Sequence, residues 1–198
     1  MRNNLKNAPK VLGLDISTKT IGWSLFDIQT QKLLELTHVS PVIKPKPEDK
    51  IEELLGKVDA FEEKLRDYKD IGVTKVIIEE PLLNSNNVWT VGVLLRYNSM
   101  ITKSIYDILG IVPSYISTYN SRKFAWPELV QENNKGKKVL FGGMPKDIDK
   151  KAVVWQKVSE SEPQIVWLYT RNNTLKKECF DQADAYTCVQ GYMKQQGL

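Results

Sequence analysis

Residues 10–28 read KVLGLDISTKTIGWSLFDI. Lys10 to Ile16 is an apolar run with Asp15 near its end, Ser17-Thr18-Lys19 forms a short turn, and Thr20 to Ile28 resumes a strand pattern. Leu33 to Val39 continues the β-rich character. Together they predict a three-stranded antiparallel meander, because short turn-forming clusters between extended apolar runs favour hairpin connection.

Beyond the meander, Ile51, Leu54, Leu55, Val58, Phe61, Leu65 and Tyr68 recur at steps of three and four. This spacing predicts an amphipathic helix over 48–68, opened after Pro47 and closed before Gly72. Thr74 to Glu79 (TKVIIE) is a β-branched strand, apolar on both sides and so predicted to be central, with helices on both faces; Pro81 terminates it. A helix over 87–109 and a strand within 111–117 follow. Residues 124–148 show no clear periodicity, and 126–149 reads as a basic loop or insertion. Helices are expected over 150–160 and 178–194. The pattern describes a mixed α/β sheet with helices on both faces, although it does not fix strand order.

Composition narrows the function. The chain has 198 residues, 41% hydrophobic and 26% charged, enough for one domain (1–198, with a short extension over 1–9) to bury a core without disulfides or metal. The formal net charge of +4 permits a polyanionic partner, whereas tail-driven or histone-like binding would need a far larger excess. Cys179 and Cys188 lack metal-ligand and CxxC spacing, which favours free thiols in a reducing, intracellular setting. No apolar run approaches the length of a membrane span. His38 is the only histidine, so Ser-His-Asp, Cys-His and multi-histidine chemistries are excluded. Catalysis must draw on carboxylates, lysines or hydroxyls.

Four carboxylates qualify. Asp15 and Glu79 each close an apolar strand, and Asp181 and Asp184 stand three apart at the opening of the last helix, on one face of it. Each has an ordinary explanation: a turn residue for Asp15, an exposed strand end for Glu79, an N-cap and first-turn acid for Asp181 and Asp184. If the first and fourth strands are neighbours and the last helix packs beside them, the four converge. Crowded carboxylates repel and call for a cation; oxygen ligands favour Mg²⁺ or Mn²⁺, which suits phosphodiester hydrolysis.

Gly13-Leu14-Asp15 with Gly22-Trp23-Ser24, then Ile77-Ile78-Glu79, then Asp181-Gln182-Ala183-Asp184-Ala185 resembles, in order and spacing, the RuvC-type Holliday junction resolvases of the RNase H-like superfamily. The short chain looks more like phage-encoded members, which would place it in a bacterial host's cytoplasm. The resemblance implies an RNase H-like five-stranded sheet in the order 3-2-1-4-5, a homodimer, and Mg²⁺-dependent symmetric nicking of four-way DNA junctions. It implies Asp15, Glu79, Asp181 and Asp184 as metal ligands, with Asp184 helping to position the attacking water and Glu80 as the rival of Glu79. The helix after the second acidic motif would line the dimer interface through Val88, Val91, Leu94 and Leu95, an apolar stripe that a monomer's core could equally use. The sequence departs from the family where an aromatic wedge follows the second acid: Leu82 stands there, with Leu83 or Trp89 as substitutes.

Charge is unevenly spread. Between Asn133 and Lys157, Lys135, Lys137, Lys138, Lys146, Lys150, Lys151 and Lys157 face two aspartates, whereas 45–70 is net acidic. A basic stretch beside a carboxylate site suits a nucleic-acid substrate, as does Arg122-Lys123 before Phe124 and Trp126, although core packing is the favoured reading of those aromatics. Lys150 or Lys151 is placed to approach a scissile phosphate. Trp23, Trp155 and Trp167 read as core, and His38 as an ordinary strand residue. Alternatives are a nuclease on structured RNA, a non-catalytic junction-binding module, and a sugar-kinase-like phosphotransferase, for whose duplicated domain and second phosphate loop the chain has no room.

Overall fold

The computed structural model describes residues 8–81, 87–133, 135–145 and 147–198. Strands β1 (Lys10–Ile16), β2 (Ile21–Asp27) and β3 (Leu33–Val39) form the antiparallel meander. Helix α1 (Lys50–Arg66) leads to β4 (Val73–Glu79), α2 (Val88–Leu109) and β5 (Ser114–Ile116). The sheet order is β3-β2-β1-β4-β5, with β4 parallel to both β1 and β5. Strands β1 and β4 therefore end at the same edge of the sheet.

Strand alternation sorts side chains onto two faces. Leu12, Leu14 and Ile16 of β1 and Val76 and Ile78 of β4 point into a core built with Leu54, Phe61 and Leu65 of α1 and Tyr97, Ile101 and Ile105 of α2. Val11 and Ile77 point to the other face, into a second core with α3 (Thr118–Ala125), α4 (Lys150–Ser161) and α5 (Glu178–Gln196). Helices thus cover both faces, as the apolar character of β4 predicts. Gly13, Asp15 and Glu79 belong by alternation to the α5 side.

The sequence reading and the structure differ over 118–149. Thr118–Ala125 is a helix whose N-cap, Ser117, accepts from the Asn120 N–H at 3.2 Å. Residues 126–149 contain a 3₁₀ turn (Pro127–Leu129) and a two-stranded hairpin, β6 (Val130–Glu132) and β7 (Lys138–Leu140), where a loop was expected. Three-residue strands and an eight-residue helix are too short to show a periodicity, and their stability comes from Trp126, Leu129 and Phe141 buried in the second core.

Trp23 is fully buried, while Trp155 and Trp167 are half-buried and meet edge to face with centroids 6.0 Å apart. His38 accepts or donates a 3.0 Å hydrogen bond with Gln182 of α5, tying the edge strand to the helix.

Candidate active site

Helix α5 reaches the sheet unusually closely, and two glycines allow it. A Cβ at Gly22 would lie 1.9 Å from the Asp181 carbonyl oxygen, and one at Gly13 would lie 2.6 Å from that of Ala185. Ser24, on the same face as Gly22, donates from Oγ to the Ala185 carbonyl at 2.8 Å. The backbone of the helix lies directly against the sheet, and Ser24 bridges the two. Asp184 is brought over the ends of β1 and β4 by this approach.

Single carboxylate oxygens of Asp15, Glu79 and Asp184 lie within 4.8 Å of one another. They line a cleft of about 200 Å³, with Asp181, Arg122 and Lys151 also on its wall. Asp15 and Glu79 are partly buried and Asp184 almost fully. Burial drives the Asp15 carboxyl well above the usual range, and the charges of Glu79, Asp184 and Asp181 add to this while Lys151 opposes it. Glu79 is pushed up to about 7, first by burial and then by Asp184, with Arg122 opposing. Asp181 is also raised, chiefly by burial.

Two cations answer this charge. The Arg122 Nη2 donates to Asp184 Oδ1 at 2.9 Å, within the protein interior. Lys151 Nζ lies 3.6 Å from Asp181 Oδ1 and 3.9 Å from Asp184 Oδ2, and remains about half exposed. It stands in the first turn of α4, where the helix dipole disfavours a cation; the facing aspartates offset that cost. Asp149 caps this helix through the Lys151 and Ala152 N–H groups at 3.0 and 3.2 Å.

The donor set fits a hard divalent cation: oxygen ligands only, crowded, and held from full ionisation first by burial and then by their mutual repulsion. Cys188 is buried close by, but burial foremost, then Glu79, Asp15 and Asp184, raise its thiol well above the usual range, so it offers no thiolate. Asp15, Glu79 and Asp184 would hold the cation, with Asp181 beside them.

The other sequence expectations distribute as follows. Glu80 is exposed on the rim of the cleft, while the cluster forms from Glu79. Asp181 is not an N-cap, because α5 begins at Glu178 with Lys177 in the cap position. Arg122 is buried and engaged with Asp184, which places it inside the site rather than on a solvent-facing basic surface. Lys123 is exposed and lies over the rings of Phe124 and Tyr119 at 5.3 and 5.8 Å. Lys135, Lys137 and Lys138 are exposed on the β6–β7 hairpin, and Lys150 lies 5.9 Å from the Phe141 ring centroid. Lys146, and the wedge candidates Leu82 and Leu83, lie outside the described residues. Trp89 is 79% exposed, and Trp126 is core. Arg122 as a partner of Asp184, and the reason for glycine at positions 13 and 22, escaped sequence reading; a lone arginine carries no local signal for a contact that far along the chain.

No protein-family model and no curated protein matches the sequence. Solved structures do match. Thermus thermophilus RuvC in complex with a Holliday junction substrate superposes with a TM-score of 0.57 at 12% identity, covering 91% of this chain and 92% of that one. This chain has the RuvC fold. A second Thermus thermophilus RuvC structure gives a TM-score of 0.57 at 14% identity, over 95% and 96% of the two chains. The yeast mitochondrial Holliday junction resolvase Ydc2 gives 0.59 at 14% identity, over 98% of this chain and 81% of that one. The RuvC fold extends over nearly the whole chain, and the expected order 3-2-1-4-5 is the observed one. Among the described residues no helix is long and apolar enough to cross a membrane.

Proposed function

We propose that this protein is a metal-dependent endonuclease that resolves four-way DNA junctions by paired, symmetric nicks, acting as one nuclease domain within a homodimer. The observation that carries this reading is the Asp15, Glu79 and Asp184 cluster at the ends of two parallel strands, within the RuvC fold. In the RuvC complex the bound substrate is a Holliday junction, and the present chain superposes on nearly all of that protein.

Asp15, Glu79 and Asp184, with Asp181 beside them, would hold Mg²⁺ or Mn²⁺, which would supply Lewis-acid stabilisation of charge developing on a phosphodiester. The chain's residues do the rest. Arg122 holds Asp184 in place and limits its rotamers. Glu79, raised to about 7 in the metal-free site, must give up its proton to act as a ligand; in the hydrolysis water adds to phosphorus and a P–O bond breaks. Lys151 is near enough to the acids to place positive charge against the phosphoryl oxygens. The exposed lysines 123, 135, 137, 138 and 150 would meet DNA phosphates. Exposed Val88 and Leu95 of α2 give the dimer an apolar surface to bury, and Trp89 is left available to intrude at an opened junction.

The test uses labelled four-way junctions, flaps and linear duplex, each with Mg²⁺ and with EDTA. Paired nicks in the junction only with metal are expected. No cleavage of any of them with Mg²⁺ or Mn²⁺ would overturn the proposal.

A further inference from the structure

Between α4 and α5 the chain runs PQIVWLYTRNNTLKK over 163–177, a stretch with three basic residues and no acidic one. It is ordered. Tyr169 and Leu175 form an antiparallel bridge, the Thr170 N–H donates to the Thr174 carbonyl at 2.8 Å, and the Lys176 N–H donates to that of Leu168 at 2.9 Å. The turn residue Asn173 takes φ 56°, a conformation asparagine tolerates better than most residues.

This hairpin is pinned on both sides to the elements that carry the site. Trp167 packs edge to face on Trp155, one turn along α4 from Lys151. Cys179 Sγ donates to the Leu168 carbonyl at 3.5 Å, and the segment runs directly into α5 at Glu178, one turn before Asp181. The hairpin is thus fixed to the two helices that carry Lys151 and Asp181.

Its outer surface has nothing of its own to satisfy it. Arg171, Lys176 and Lys177 are exposed, and none forms an ion pair among the described residues. Tyr169 is 47% exposed and Val166 88%. Free cations interleaved with open apolar and aromatic surface are complementary to a ligand that carries regular negative charge and flat apolar faces together. A nucleic-acid strand has both, and phosphate contacts with base–aromatic stacking are how such strands are held.

We propose that this hairpin grips a substrate strand beside the cleft, with Arg171, Lys176 and Lys177 on phosphates and Tyr169 against a base. The inference rests on the nuclease reading and adds a binding element to it.

The test measures binding of a fluorescent four-way junction and of a single strand by the Asp15→Asn protein across about 50 to 200 mM salt. The Arg171→Gln/Lys176→Gln/Lys177→Gln variant in that background should bind at least ~10-fold more weakly, with a log–log salt slope smaller by about 2 to 3. Tyr169→Ala should weaken binding several-fold, and Tyr169→Phe should restore it, since the ring and not the hydroxyl stacks. An unchanged melting temperature would assign these losses to contact rather than fold. Unchanged affinity and slope in the triple variant would overturn the hairpin's role. If the unmodified protein cleaves junctions while the triple variant binds like its parent, only this inference fails; if the parent binds no nucleic acid, both fail.

Discussion

Arg122 and Asp184 are 62 residues apart in sequence, yet Nη2 of one lies 2.9 Å from Oδ1 of the other and both side chains are almost fully buried. The pair joins α3 to α5 inside the candidate site. Removing one partner of a buried ion pair strands the other charge, at about 3–5 kcal/mol. Arg122→Ala should therefore lower the melting temperature by roughly 10 °C, and Arg122→Lys should recover only part of it, because an ammonium lacks the planar fork. Equal stability of Arg122→Ala and the parent in thermal unfolding would refute this.

Lys151 competes with any cation for Asp181 and Asp184. Lys151→Gln should lower the Mg²⁺ concentration giving half-maximal cleavage, while reducing the maximal rate by about 10- to 100-fold through loss of charge stabilisation. A magnesium titration of nicking separates the two effects. A higher magnesium requirement with an unchanged maximal rate would contradict this role.

The raised carboxyls predict a pH-dependent stability. Glu79 has a folded pKa of about 7 against an unfolded value of about 4.3, so the folded state binds the proton more tightly. Its stabilising effect is complete below about pH 4 and is lost as pH rises through 7, on the order of 3 kcal/mol. Asp15 acts in the same direction. Without metal, the melting temperature should fall between pH 5 and 8, Asp15→Asn should reduce that fall, and Mg²⁺ should stabilise more at pH 8 than at pH 5. Differential scanning calorimetry with EDTA and with Mg²⁺ measures all three, and a pH-independent metal effect would count against the cluster.

Gly22→Ala places a methyl group 1.9 Å from the Asp181 carbonyl oxygen, so α5 must move outward by more than an ångström. Overpacking of this kind costs about 1–3 kcal/mol, and misplacing reactive groups by about 1 Å costs about 100-fold in rate. Cleavage should fall about 100-fold in a protein that remains folded by circular dichroism. Full activity would show that the approach of α5 is not needed.

Much of the architecture was legible because it is carried by long, periodic or two-sided apolar segments. The meander, the central strand β4, helices α1, α2, α4 and α5, and all four acids were read from local pattern. The short elements were not: α3 and the β6–β7 hairpin draw their stability from Trp126, Leu129 and Phe141 in the second core, which no local window contains. Arg122 was read with its neighbour Lys123 as a surface cation, although consecutive helix residues point in different directions: one enters the interior and the other faces solvent.

Side-chain chemistry along the chain supplied the candidate acids, excluded histidine-based chemistry, and placed each acid at the end of an apolar strand or the start of a helix. Those properties are local, being set by residue type and by periods of two or 3.6. Tertiary structure alone decided that Asp15, Glu79 and Asp184 meet while Asp181 stands beside Lys151, and that Arg122 is spent inward. Such distances depend on how closely α5 can approach β1 and β2, which Gly13 and Gly22 set through contacts about 160 residues away in sequence.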